Sequence, residues 1–431
     1  MRASYFIGEQ LQAPKLRFNP SSLQASHRSA RQGLRLYGPY DSQRLGKDSV
    51  CVALVYPRQL SDPSRIVKEG LAYGYGTFEG FQKLFRIPIR FVAERYASTE
   101  RETEIKRELQ AILRDQKPDI IVLLMSKQDP ALYATVKAEL LGNGIPSQVI
   151  TAEKILSSTQ VQWVLENTAL QIYGKIGGTP WTVMSSSSEK GLVLGVSRAL
   201  DKQRNFVVGF VTLFTYDGDY QFLYSLSPRP AEWSQLDAYR DALAELIVEA
   251  YTEYTSLQGV PSSLVIHFCK SPGKYREIKA VEQALQRIGT SIPYALVHLN
   301  DDSNYRLFDT AHPTCVPETG IKVNLDKNNA LLFLDGRPPD TVRGIRRKRG
   351  VPRVLNIVMD QRSTMSIDEF PRLVRQVFEF AYVNWRGFNA QAIPVTLNYS
   401  YLVARLVATI GAQNWNVIAS RGVLRDKAWF L

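Results

Sequence analysis

Acid is scarce in this sequence. Its 431 residues hold 41 Asp and Glu against 53 Lys and Arg, a formal net charge of +12. Metal-binding and redox residues are scarcer still: three cysteines (Cys51, Cys269, Cys315), none in a C-x-x-C pair, and four scattered histidines. That set speaks against both a disulfide framework and a zinc site. No stretch reaches 18 apolar residues, so no membrane-spanning helix is expected, and the opening MRASYFIGEQLQAPKLRF lacks the apolar core of a signal peptide. A reduced, basic, cytoplasmic protein is the expectation. What is there is ordinary globular composition, 45% hydrophobic and 22% charged, and a length that suits two or three domains with their own cores. A positive balance favours a polyanionic partner, most often nucleic acid, although many basic proteins are merely soluble and basic.

Along the chain, the first 45 or so residues show turn and polar residues and no sustained period. From there strands alternate with helices. CVALVYP (51–57) is a β-branched run, IPIRFVAE (87–94) a second strand, and STERETEIKRELQAILRD (98–115) a helix opened by a serine cap, with Ile105, Leu109, Ile112 and Leu113 at helical spacing. PDIIVLLMS (118–126) is a third strand. PALYATVKAELLG (130–142) is a helix opened by proline and closed by glycine, followed by IPSQVIT (145–151) and the helix VQWVLENTALQIYGKIGG (161–178). Such alternation predicts a parallel, Rossmann-like sheet with helices on its faces, one α/β domain over 48–180.

After Trp181 and the serines at 185–188 the order changes. GLVLGVSRAL (191–200), NFVVGFVTLFTY (205–216) and YQFLYSLSP (220–228) are joined by short polar links, which force antiparallel neighbours. A helix at 232–256, a strand at 262–270, a helix at 275–288 and a strand at 292–299 follow. Three antiparallel strands and then helix–strand–helix–strand is the order of the RNase H fold, shared by several other α+β folds. LLFLDG, VLNIVM and helices near 367–384 and 399–411 complete the chain.

Tyr133 and Lys137 are four apart on one predicted helix, and Asn167, Gln171 and Lys175 form a stripe on another. A stripe of this kind is either a solvated face or a cluster of amide and ammonium donors for a phosphate, and spacing does not choose. IPSQVIT, the YGKIGGTPW segment and the upstream Tyr133 and Lys137 together resemble the MID domain of Argonaute proteins. The resemblance is narrowest to the short prokaryotic Argonautes, stand-alone archaeal Piwi proteins among them. GLRLYGPYD (33–41) resembles that family's opening segment and NWRGFNAQAIPVTLNYSYLVARLVA (384–408) its C-terminal PIWI segment. The resemblance implies an N-terminal segment (1–47) packing on MID and PIWI, a MID domain (48–180) and a PIWI domain of RNase H fold (181–431). It leaves no room for the N-terminal and PAZ domains of long Argonautes. Residue by residue, Tyr133 would stack on the first base of a guide strand, and Lys137, Gln148 and Lys175 would hold its 5′-phosphate. Asn167 and Gln171 would complete the pocket, with Gln171 and the carboxylate of Leu431 as ligands of a structural Mg²⁺. The apolar end Trp429-Phe430-Leu431 could equally just pack into the protein.

Slicing Argonautes hold two metal ions with carboxylate or histidine ligands in the RNase H site. At three of those positions this sequence reads Gly195, Cys269 and Tyr401, which implies an inactive PIWI domain. Asp201, Asp217 and Asp219 fall in predicted turns; a nuclease with non-standard ligands is the competing reading. RGIRRKRGVPR (343–353) carries Arg343, Arg346, Arg347, Lys348, Arg349 and Arg353 without an acid between them, either a solvated loop or a contact to guide and target backbones; Arg386 is a second backbone candidate. The resemblance further implies a guide RNA (or guide DNA), a target DNA, no membrane, and a separately encoded APAZ-containing effector of sirtuin-like, TIR or nuclease type. That effector would act in defence against plasmids and phages by abortive infection. A stand-alone guide-binding protein remains the other possibility.

Overall fold

A computed structural model describes residues 8–42, 45–156, 160–184, 191–200, 207–214, 220–225, 236–337, 353–419 and 427–431. The chain divides into two compact units that do not follow the expected boundaries. One comprises Leu16–Thr182 with Trp385–Phe388 and Leu406–Leu431; the other comprises Met1–Lys15, Val183–Asn384 and Asn389–Arg405. The segment 1–47 is thus shared between the two at residue 15, and the last 26 residues belong with the unit of 16–182 rather than with that of 183–405.

The first unit opens with helix α1 (Ala30–Tyr37) in the stretch expected to be irregular. At eight residues it is too short to show a period, yet it has a Ser29 cap whose side chain accepts from Gln32 N and a Gly38 terminator at φ 77°. Four parallel strands follow: β1 (Val50–Pro57), β2 (Ile89–Ala97), β3 (Ile120–Met125) and β4 (Ser147–Thr151), in the order β2-β1-β3-β4. Between β1 and β2 lies a helix absent from the sequence reading, α2 (Ser61–Tyr73), ended by Gly74 at φ 103°. Helix α3 (Glu102–Asp115) starts four residues later than its expected serine cap, because Glu104 Oε2 accepts from Thr99 N at 2.7 Å and holds the preceding residues out of the helix. Helices α4 (Pro130–Gly142) and α5 (Val161–Lys175) sit where expected. Every residue of β3 is buried, as its unbroken apolar run requires. Ala53, Val55, Ile121 and Leu123 pack there against Ile105 and Leu109 of α3 and Val136 and Leu140 of α4. Helix α5 is buried on most sides, with Leu165, Ala169, Leu170, Ile172 and Tyr173 inside, so it shows little amphipathic signal.

The second unit is built on a sheet that has nine strands among the described residues. Its strands are Gly8–Gln10, β5 (Leu192–Leu200), β6 (Val207–Phe214), β7 (Tyr220–Ser225), β8 (Leu264–Phe268), β9 (Tyr294–Asn300), β10 (Ile321–Asp326), β11 (Asn329–Leu332) and β12 (Leu355–Met359). Starting from Gly8–Gln10 the order is β10-β11-β12-β9-β8-β5-β6-β7. β5, β6 and β7 are antiparallel neighbours, and β8 joins β5 and β9 in parallel. This is the RNase H order expected from the sequence. Helices α6 (Leu236–Gln258) and α7 (Lys279–Ile288) cover this region, with Leu243, Ile247, Tyr254, Val281 and Ala284 packed on Leu194, Val196, Ile266 and Phe268. Helices α8 (Phe370–Phe380) and α9 (Val395–Ile410) follow, and α9 begins four residues before its expected start; α10 (Ala412–Ala419), in the 406–431 segment of the first unit, has no counterpart in the sequence reading. No helix among the described residues is long and apolar enough to cross a membrane.

Candidate functional site

In the four-stranded unit, β4 runs between the helices that carry the two candidate lysines. Lys137 Nζ, from α4, donates to the carbonyl oxygen of Ser147 at 2.8 Å. Lys175 Nζ, from the last turn of α5, donates to the same oxygen at 3.1 Å and to Gln148 Oε1 at 2.5 Å. Both lysines are only 1% exposed. Among the described residues, no carboxylate lies within ion-pair distance of either ammonium. Burial accordingly pulls Lys137 down to about 7. Lys175 is held well below the ordinary lysine range by its own burial, then by the charges of Lys137 and Arg386. Two cations forced together in a dry place with one shared carbonyl leave ammonium protons to spare, and the group that best satisfies both is an anion of two or more oxygens.

The neighbours extend this site. Lys137 Nζ lies 5.5 Å from the Tyr133 ring centroid, so an aromatic face borders the ammonium pair. Gln148 is buried and spends its own amide on Val149 O at 3.2 Å. Gln171, half-buried one turn before Lys175, donates to Arg386 O at 3.1 Å, while Asn167 lies half-buried a further turn back. The Arg386 residue is exposed. Gly174 is where the chain's last residues arrive: Ala428 N donates to Gly174 O at 3.4 Å, and a Cβ at Gly174 would meet Leu431 Cδ1 at 3.0 Å. The apolar tail therefore packs beside Lys175, with Leu431 7% exposed. Tyr133, Lys137, Gln148, Gln171, Lys175 and Leu431 are thus gathered at α4, β4 and α5. The element that sequence reasoning missed is the Ser147 carbonyl, a backbone atom with no side-chain signature.

The three positions expected to lack metal ligands, Gly195, Cys269 and Tyr401, lie in the nine-stranded unit. Gly195 sits in the middle of β5, in register with Thr212 of β6 and His267 of β8. A Cβ on Gly195 would stand 2.0 Å from Thr396 O, so the backbone at the start of α9 occupies the place where a longer side chain would go. His267 is fully buried, its Nδ1 paired with Thr396 Oγ1 at 2.9 Å, and burial lowers its pKa to about 3, keeping it neutral. Ser400 Oγ donates to Ser197 Oγ at 2.9 Å, and Ser197 Oγ lies 3.2 Å from Leu397 O, closing the same space with hydroxyls. Cys269 is half-buried and Tyr401 is 44% exposed. Among the described residues no group of three or more His, Cys, Asp or Glu could hold a metal ion. Asp201, Asp217 and Asp219 lie outside the described residues, as do Arg343, Arg346, Arg347, Lys348 and Arg349 of the basic run. Its last member, Arg353, pairs with Asp302.

Comparison with known proteins agrees with this architecture. The Piwi domain family matches residues 119–416. The Piwi protein of Archaeoglobus fulgidus is 25% identical over 421 residues, covering 93% of both chains. The protein argonaute of Cereibacter sphaeroides is 24% identical over 93% of this chain and 56% of its own. Among solved structures, Drosophila Piwi superposes with a TM-score of 0.70 at 15% identity, over 98% of this chain and 56% of that one. Clostridium butyricum Argonaute, solved with a guide DNA and a 19-mer target DNA, gives 0.69 at 16% identity over 94% of this chain and 53% of its own. The chain therefore spans the archaeal relative almost completely and about half of the longer ones. With the Piwi match extending over more than half of its length, and with one sheet of RNase H order and one Rossmann-like sheet, the chain belongs to the Piwi domain family of Argonaute-like proteins.

Proposed function

We propose that this protein is a guide-binding Argonaute of the short MID–PIWI type that seats the 5′-phosphate of a guide strand between Lys137 and Lys175. The observation behind this reading is the pair of buried lysines sharing one carbonyl oxygen, without a carboxylate in ion-pair reach among the described residues. A terminal phosphate supplies both charge and several acceptors, and Gln148 orients Lys175 for it. Tyr133 offers its ring to the first base. Gln171 and the Leu431 carboxylate are oxygen donors of the kind Mg²⁺ takes, and the ion would add charge neutralisation beside the phosphate. The guide is a small RNA, with guide DNA as the variant suggested by the Clostridium butyricum relative, and the target is DNA read through base pairing with the guide.

The PIWI unit binds without cutting, a reading supported by Gly195, Cys269 and Tyr401 and by the backbone packed against Gly195. Target recognition then activates a separate APAZ-containing effector, an NADase or nuclease, in cytoplasmic defence against plasmids and phages. The test is binding of 5′-phosphorylated and 5′-hydroxyl guides to the wild type and to the Lys137→Ala/Lys175→Ala double variant. Losing two charge-assisted contacts should weaken the phosphorylated guide by about a hundredfold or more and the hydroxyl guide far less. Equal losses for both guides would sink the pocket. Sequencing the nucleic acid that co-purifies, and identifying any protein with it, tests the guide and effector assignments.

A further inference from the structure

The link between β8 and α7 reads Cys269-Lys270-Ser271-Pro272-Gly273-Lys274-Tyr275-Arg276-Glu277-Ile278-Lys279, with four basic residues and one acid. The acid is turned inward. Glu277 is 2% exposed, pairs with Arg198 of β5, accepts from Gly273 N at 3.0 Å and lies 3.4 Å from Tyr239 Oη. The basic residues on the outside keep their charge towards solvent: Lys270 and Lys274 are exposed, and Lys274 Nζ sits 5.4 Å from the ring centroid of Tyr275, which is 73% exposed. Lys279 is partly neutralised by Glu282 at 3.2 Å, so the free charge is concentrated at 270–274. The backbone beneath is fixed. Cys269 N donates to Val196 O at 3.3 Å, Arg362 Nη2 to Pro272 O at 3.3 Å, and Ile278 N to Gly273 O at 3.1 Å.

This link leaves the carboxyl end of β8, beside the end of β5 to which β8 is parallel, the edge of such sheets where ligands bind. The two positions that flank it there, Gly195 and Cys269, offer no carboxylate and so would bring no metal charge to a phosphodiester. Lys270 and Lys274 supply fixed positive charge in that place, and an exposed Tyr275 adds a flat face for a sugar or base. From this geometry we infer that the 270–275 link is a rigid cationic rest for the backbone of the target strand, and that the PIWI unit grips target DNA with lysine charge rather than with metal ions. This rests on the reading of the chain as a guide-binding protein.

The test uses the full chain loaded with a 5′-phosphorylated guide and a labelled complementary DNA, with target affinity measured across a salt series, with and without EDTA. As long as its guide stays loaded, the wild type should bind target equally well in EDTA. Lys270→Ala/Lys274→Ala should flatten the slope of log affinity against log salt by roughly 1.5 to 2 while leaving guide loading at the wild-type level, and Lys270→Arg/Lys274→Arg should restore the slope. An unchanged slope, or target binding abolished by EDTA while the guide stays loaded, would overturn the inference. So would an unchanged slope together with loss of an acidic co-purifying protein, which would mark the link as a protein-docking surface. Failure of the wild type to load any guide would instead refute the functional reading on which this one stands.

Discussion

Lys137→Met isolates what the pocket costs the protein before its ligand arrives. Burial takes Lys137 from 10.5 to about 7. At about 1.4 kcal/mol per pKa unit, holding the ammonium inside at pH 7 costs the folded state about 4 kcal/mol. Methionine has a similar unbranched shape and no charge, and repacking around it should return about 1 kcal/mol of that gain. Ser147 O keeps a donor in Lys175, so no buried acceptor is stranded. Removing Lys137 also lifts a like charge that presses Lys175 down. The ligand-free variant should therefore be more stable at pH 7 by about 2 to 3 kcal/mol, or roughly 4 to 12 °C in melting temperature for a unit of this size. The pH dependence carries the sign. Between 7 and 10.5 the unfolded chain binds the proton that folded Lys137 releases, so wild-type stability rises with pH across that window while the variant gains nothing from this site. The gap should close as pH approaches 10.5. Thermal melts of both ligand-free proteins at several pH values measure this, and a parallel binding experiment should show the variant no longer favouring a 5′-phosphate. A variant that melts below the wild type by the same margin at every pH, with phosphate preference intact, would refute the reasoning.

Two further predictions concern the same two units. Because burial pulls ligand-free Lys137 down to about 7 and holds Lys175 well below the ordinary lysine range, while a bound phosphate favours both charged forms beside Arg386 and Tyr133, guide binding above pH 7 should take up protons. Titration calorimetry in buffers of different ionisation enthalpy should detect that uptake, and affinity for a phosphorylated guide should fall from pH 7 to 9; a flat profile with no proton uptake would count against it. In the nine-stranded unit, Gly195→Asp should restore no metal-dependent cleavage, and even Gly195→Ala should cost about 3 kcal/mol or more, since a Cβ there would lie 2.0 Å from Thr396 O. Guide-directed cleavage by Gly195→Asp with an unchanged melting temperature would contradict that account.

The strands were the most legible part of this protein. β1, β3, β5 and β8 are nearly continuous apolar runs because both faces of each sheet are covered, and their alternation with helices specified the parallel order. Helices α1 and α2 escaped for different reasons. The first is too short for a period, and the second buries small or polar residues, Pro63, Ser64 and Gly70, beside Val67 and Leu71, which blurs its apolar face. In the pocket, the spacing of Lys137 and Lys175 on their helices was visible, but a solvated stripe would have looked the same. What distinguishes them is that β4 brings a single backbone oxygen between α4 and α5, a tertiary fact. Likewise the absence of a carboxylate at Gly195 could be read directly, whereas the Thr396 backbone that fills the space beside it comes from about two hundred residues away. The grouping of 406–431 with 16–182 is hidden for the same reason, since nothing local announces that return.

That return sets a timetable for synthesis. The four-stranded unit draws on residues 16–182 and then on 406–431, so the ribosome must make all of 183–405 before the first-started unit has its full set of parts. Gly174, one residue from Lys175, gets part of its cover late, because Ala428 and Leu431 are made more than 250 residues after it. A nascent chain would thus carry α5 without this part of its cover while the nine-stranded unit folds, and the surroundings of Lys175 would be completed only once 406–431 has been made. A chain stopped between residues 182 and 406 would have the two lysines in its sequence but lack the 406–431 packing beside Lys175, so synthesis through that segment decides which molecules have the complete surroundings of the lysine pair.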